Sequence, residues 1–169
     1  MLKKFFYIIC DFYKSIKLNE LIESVILPIL IVGLVFYFLR SNFDSNFLDS
    51  FNDSIFTITS FLIAFSICAV TLLFSTSSSN IDGARKQMTN RVNHYNEKIN
   101  YFQLIQIRSY YNTLIEFILI ISTMSFKILS TGYNVTALFY VNLFLIIHIL
   151  CVLCFVIIHM YHLSWKNPS

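Results

Sequence analysis

Charge is scarce in this sequence: Asp, Glu, Lys and Arg make up 12% of 169 residues, about half the share a soluble domain carries. That leaves too few polar groups to cover a water-exposed globule. Three Gly and two Pro exclude a turn-rich fold and call for long uninterrupted elements. The four cysteines (Cys10, Cys68, Cys151 and Cys154) lie in or beside apolar segments. They exclude a disulfide framework and read as small apolar residues. No glycine-rich phosphate loop, nucleophile motif or HExxH pair occurs, and no polar stretch is long enough for a catalytic domain. An enzyme is therefore not expected, and neither is a cofactor or a structural metal.

What is present is hydrocarbon: 57% hydrophobic residues, 17% aromatic, and a mean hydropathy of +0.69. It comes in long blocks rather than at period 2 or 3.6, which is the bilayer signature. Four blocks, near 21–39, 54–74, 113–131 and 136–158, are each about 20 residues, or about 30 Å as helix, enough to cross the hydrocarbon layer. Pro28 predicts a kink in the first. The expected fold is an all-α polytopic membrane protein with four transmembrane helices. Its segments are an amphipathic helix over 1–18, a first transmembrane hairpin over 19–74, a basic helical segment over 75–112, and a second transmembrane hairpin with a short tail over 113–169.

Residues 1–18 place Leu2, Phe5, Phe6, Ile9, Phe12, Tyr13 and Ile16 on one helical face and Lys3, Lys4, Lys14 and Lys17 on the other, which suits a helix lying in the headgroup layer. Packing on protein is the alternative. Asp11 and Lys14 interrupt the run, and no small-residue cleavage site follows, so it does not read as a cleaved signal. Residues 41–53 read as a short loop carrying Asp44, Asp49 and Asp53. In the polar stretch from Ser75 to Asn112, a helix is predicted to start near Gly83. Met88, Val92, Tyr95, Ile99 and Phe102 trace a stripe along it into the third span. Gly132, Tyr133 and Asn134 predict a tight turn.

Ten of the twelve Lys and Arg lie at one end of this layout, and only Arg40 and Lys127 at the other. The positive-inside rule then puts both termini and residues 75–112 in the cytoplasm. The abundance of Asn, Ile, Lys, Phe and Tyr matches an AT-rich coding sequence and hints at a bacterial source, hence an inner membrane. The two hairpins do not repeat one another, which disfavours an inverted-repeat transporter.

Glu116, Thr123 and Lys127 fall along one side of the third span, since eleven residues bring a helix back to within about 20°. They form a polar seam that lines either an oligomeric pore or a water-filled cavity. The alternative leaves Glu116 at the inner interface and Lys127 snorkelling outward. The second span carries Thr57, Ser60, Ala64, Cys68, Thr71 and Ser75, a small-residue seam for helix packing or pore lining. Either role places this helix inside the bundle. His148, Cys151, His159 and His162 share a face of the fourth span. With no third ligand at suitable spacing, an interfacial role is favoured over metal. Arg85, Lys86, Arg91, Lys98 and Arg108, among Tyr95, Tyr101 and Phe102, could bind a partner protein, a nucleotide or an oligonucleotide, or anionic lipid headgroups.

Four spans, both termini inside, and a second span ending in TLLFSTSSSN before a basic cytoplasmic helix resemble small membrane proteins of bacterial anti-phage systems, namely the membrane components of Kiwa and Hailong. The resemblance covers the whole chain in layout and brings no site residues. It implies a homo-oligomer, a tetramer among the assemblies it allows, held inactive until infection and then disturbing ion gradients. Three functions follow as expectations: a gated ion channel, a non-conducting sensor or anchor that recruits a soluble effector, and, less favoured, a small transporter.

Overall fold

The computed structural model describes residues 2–39, 44–75 and 79–165. Among the described residues, four helices are long and apolar enough to cross a membrane: Leu18–Phe38, Asn46–Thr71, Tyr101–Leu129 and Thr136–Tyr161. Arg40 and Lys166 lie outside the described residues.

The N-terminal helix α1 (Leu2–Ser15) is followed by the first span. That span is built from α2 (Leu18–Leu21), a π-helical segment (Ile22–Ile26) and α3 (Leu27–Leu39). The irregularity expected at Pro28 takes the form of this π segment. An α-helix would bond the Ser24 carbonyl to the residue-28 N–H, which proline lacks. Ser24 and Pro28 are buried, whereas Leu30, Leu34, Phe36, Tyr37 and Phe38 are exposed. This span attaches to the rest chiefly along α7.

The second span, α4 (Ser45–Ser75), begins well before the expected position. Residues 45–53 are helical rather than loop: the Asp44 carbonyl accepts from the Phe47 and Leu48 N–H groups. Leu48 and Asn52 at i and i+4 are buried, while Asp49 and Asp53 stay exposed, so the start of this helix is amphipathic.

Residues 79–100 overturn the expected continuous helix. A short helix α5 (Ser79–Lys86) ends before an antiparallel hairpin of β1 (Met88–Val92) and β2 (Lys98–Asn100). The cause is local. The Asn93 side-chain oxygen accepts from the Tyr95 and Glu97 N–H groups, and Asn96 takes the left-handed conformation at φ 63°, which asparagine tolerates. Thr89 Oγ1 then ties across to the Ile99 carbonyl at 2.6 Å.

Helix α6 (Tyr101–Leu129) starts with a reciprocal cap. Asn100 Oδ1 accepts from Gln103 N–H, and Gln103 Oε1 from Asn100 N–H. It therefore begins twelve residues before the expected third span. Residues 130–133 turn as expected, Asn134 Oδ1 accepts from Thr136 N–H, and α7 (Thr136–Trp165) completes the chain. Helix α6 is the axis of the bundle, packed by α1, α4, α5 and α7. The central core joins Phe12, Ile55, Tyr111, Ile115, Leu119, Ile146, Ile149 and Val152. Phe12 comes from α1, so that helix sets its apolar face on the bundle rather than only on a lipid surface. Phe5 and Phe6 remain exposed.

Candidate functional site

The seam foreseen on α6 does not form one continuous face. Glu116 and Thr123 are 0% and 1% exposed, covered by α4 within the same chain. Lys127 is exposed and pairs with Asp53 of α4 at 2.7 Å. One chain thus uses Glu116 and Thr123 for internal packing, because α4 meets α6 along this side. The Thr123 carbonyl accepts from Asn52 Nδ2 (3.2 Å), whose Oδ1 accepts from Asn142 Nδ2 (3.2 Å). That amide ladder stitches α4, α6 and α7 across an apolar layer, where each amide needs a partner. Both side chains of the Lys127–Asp53 pair are more than half exposed, and exposed ion pairs contribute little. Lys127→Gln is expected to leave the melting temperature of the purified protein unchanged within error; a fall of several degrees would contradict this placement.

The α4 seam lies on the opposite side of its helix. Thr57, Ser60, Ala64, Cys68 and Thr71 are all exposed. The hydroxyls of Thr57, Ser60 and Thr71 donate to the carbonyls of Asp53, Phe56 and Ile67 one turn back. They are thereby satisfied without a partner helix. The expectation that α4 sits inside the bundle holds for its other face, carrying Asn52, Ile55, Thr59, Ile63, Ser66 and Leu73.

At the basic end, two of the five predicted binding cations are consumed internally. Arg91 of β1 grips Glu20 with both guanidinium nitrogens, at 2.6 and 2.7 Å, and donates to the Ser15 carbonyl at 2.7 Å. Arg108 of α6, 1% exposed, donates to the same carboxylate at 2.7 Å. His159 of α7 donates from Nδ1 to the Phe155 carbonyl at 2.6 Å, leaving Nε2 to accept from Arg108 Nη1 at 3.3 Å. The Lys17 N–H adds a further bond to Glu20 at 3.0 Å. One carboxylate therefore holds the hairpin, the α1–α2 junction and α6, and through Arg108 it reaches α7. Arg85, Lys86 and Lys98 stay exposed; Arg85 lies 4.9 Å over the Phe102 ring.

The hairpin tip is clamped to α1 as well. Asp11 Oδ1 accepts from the His94 backbone N–H (2.7 Å) and faces His94 Nδ1 (2.6 Å). Tyr7 stacks on the His94 ring at 4.6 Å. Lys14 Nζ donates to Asn96 Oδ1 at 2.8 Å.

His148, singled out as one of a histidine face, is buried at 3% exposure. Its Nδ1 donates to the Ser24 carbonyl, whose α-helical donor, the residue-28 N–H, proline lacks. Its Nε2 then accepts from Tyr111 Oη at 2.8 Å, and the Tyr111 ring stacks on Phe12 at 3.7 Å. The His162 side chain lies outside the described residues. Among the described residues, no three His, Cys, Asp or Glu side chains gather as a metal site.

No family model, curated protein or solved structure matches the chain.

Sequence reasoning missed Glu20, Asp11, Asn52 and Asn142. The first had a visible signal, an acid opening an apolar span with arginines in the following polar segment. For the ladder, Asn142 inside an apolar run was a signal, whereas Asn52 stands in the polar stretch 41–53 and gave none.

Proposed function

We propose that the chain is the subunit of a homo-oligomeric gated pore that serves bacterial anti-phage defence by disturbing the membrane potential. In this reading it sits in the inner membrane, with both termini and residues 75–112 in the cytoplasm. The outward α4 stripe of Thr57, Ser60, Ala64, Cys68 and Thr71 carries the reading. Small residues at three- and four-residue steps let helices of neighbouring copies approach closely, and a ring of such stripes offers hydroxyls to a water-filled axis. The excess of Lys and Arg at one end supports the orientation. The role rests on the resemblance of the four-span layout to membrane components of anti-phage systems.

Cys68, exposed near the C-terminal end of the stripe, tests the assembly. Mild oxidation of membranes is expected to give disulfide-linked dimers that vanish in Cys68→Ser but persist in Cys154→Ser, whose cysteine is also exposed, on α7. Proteoliposomes should then leak ions, with Ser60→Trp lowering the flux at least tenfold. Cross-linked dimers with no flux under any activating condition would remove the pore. They would leave the second reading, a non-conducting anchor that recruits a soluble effector through exposed Arg85, Lys86 and Lys98. Charge reversal at those three positions would then abolish partner co-purification without splitting the oligomer.

A further inference from the structure

Glu116 lies near the middle of α6 and is 0% exposed, and its two oxygens have unequal surroundings. Ser66 Oγ of α4 donates to Oε1 at 2.9 Å, and Asn112 Nδ2, one turn back on α6, donates to the same oxygen at 2.7 Å. Glu116 Oε2 has no hydrogen-bond partner among the described residues, and neither has the carbonyl oxygen Oδ1 of the buried Asn112. An ionised carboxylate accepts on both oxygens and donates from neither, so it would leave both of these buried acceptors unmatched. The un-ionised acid fits the pattern. Its carbonyl oxygen accepts and its hydroxyl donates, and a donor is what Asn112 Oδ1 lacks.

Charge leads to the same assignment. A carboxylate buried in an apolar span needs a compensating positive charge. The charged side chains and histidines on the elements packed against α6 bond elsewhere or are exposed. On α1, Asp11 and Lys14 hold the hairpin tip, and Lys3 and Lys4 are exposed. On α4, Asp49 and Asp53 are exposed. On α5, Asp82 and Arg85 pair and Lys86 is exposed, as is Lys98 on β2. On α7, His148 bonds Ser24 and Tyr111, and His159 bonds Phe155 and Arg108. On α6 itself, Arg108 holds Glu20 and Lys127 holds Asp53.

We propose that the α4–α6 contact is a proton-binding site, in which Glu116 carries a hydrogen on Oε2 and donates it to Asn112 Oδ1. The two side chains, at i and i+4 on one helix, then pair as acid and amide, each donating once and accepting once. Ser66 ties the pair to α4. Folding takes up this proton from water, and its loss would set an uncompensated charge between the two helices. The site lies inside one chain, so it is independent of whether the assembly conducts.

Infrared spectra of the detergent-purified full-length protein at neutral pH test this. The carbonyl stretch of an un-ionised carboxyl is expected in the natural protein and absent from Glu116→Gln. Ser66→Ala should move that band to higher frequency, because the acid carbonyl loses a donor. Linkage gives a second readout. In the unfolded chain Glu116 ionises above its ordinary value of about 4.3, whereas the folded protein keeps the proton. Stability relative to Glu116→Gln is therefore lost as pH rises, and from about pH 5 to about pH 7 the Tm difference should change by about 3–5 °C per pH unit. An acid band missing from the natural protein, or retained in Glu116→Gln, would overturn the proposal. So would a band that Ser66→Ala leaves unmoved, or a Tm difference that does not change with pH.

Discussion

Glu20→Gln is expected to destabilise the protein by about 3–5 kcal/mol, the usual cost of breaking a buried ion pair by removing one partner. The size of the effect follows from what remains. Arg91 and Arg108 lie within reach of this one carboxylate, with side chains 11% and 1% exposed. Without its charge, two largely covered guanidinium groups face each other with only neutral acceptors, namely the remaining amide oxygen at position 20, the Ser15 carbonyl and His159. The hairpin has one other clamp, the contact of Asp11 and Lys14 with its tip, so it should release before the transmembrane bundle melts. Limited trypsin digestion of the variant should therefore cut at Arg91 and Lys98 at least tenfold faster than in the natural protein. Tm should also fall. If cleavage at those two sites is unchanged, the carboxylate does not hold the hairpin. The double variant Glu20→Gln/Arg91→Gln should recover part of the loss, because partners in one network are not additive.

The same cluster marks what sequence could and could not reveal. The four spans were legible because hydrocarbon runs of membrane length have few other uses. The stretch 88–100 was misread for a geometric reason: Met88, Val92, Tyr95, Ile99 and Phe102 repeat at steps of three and four. A step of four keeps residues on one face in a strand as well as in a helix. Asn93 and Asn96 were the deciding signals, because their side chains and tolerance of positive φ build the turn. The polar residues of α4 and α6 were correctly located on their own helices. Which faces meet is a tertiary property that no single helix encodes. The small residues of α4 suit packing or pore lining, yet Asn52, Thr59 and Ser66 occupy the side of α4 that is buried. Those hydrogen-bonding groups, together with Glu116 across the interface, fix the pairing.

The second large effect concerns Pro28. His148→Leu is expected to cost about 2–6 kcal/mol, because it strips two buried groups of their partner at about 1–3 kcal/mol each. The Ser24 carbonyl loses the imidazole N–H, and the Tyr111 hydroxyl loses its acceptor. An average hydrogen bond between transmembrane helices contributes only about 0.6 kcal/mol, so the prediction rests on the carbonyl having no residue-28 N–H to return to. That dependence supplies its own control. Pro28→Ala restores an N–H one turn beyond Ser24, where an α-helix closes the bond. In the His148→Leu background it should regain at least 1 kcal/mol, while in the natural background it competes with an imidazole already in place. Stability of the four proteins, measured by reversible unfolding in detergent, gives the coupling directly. Strictly additive effects would mean that the missing proline donor and the His148 bond are unconnected.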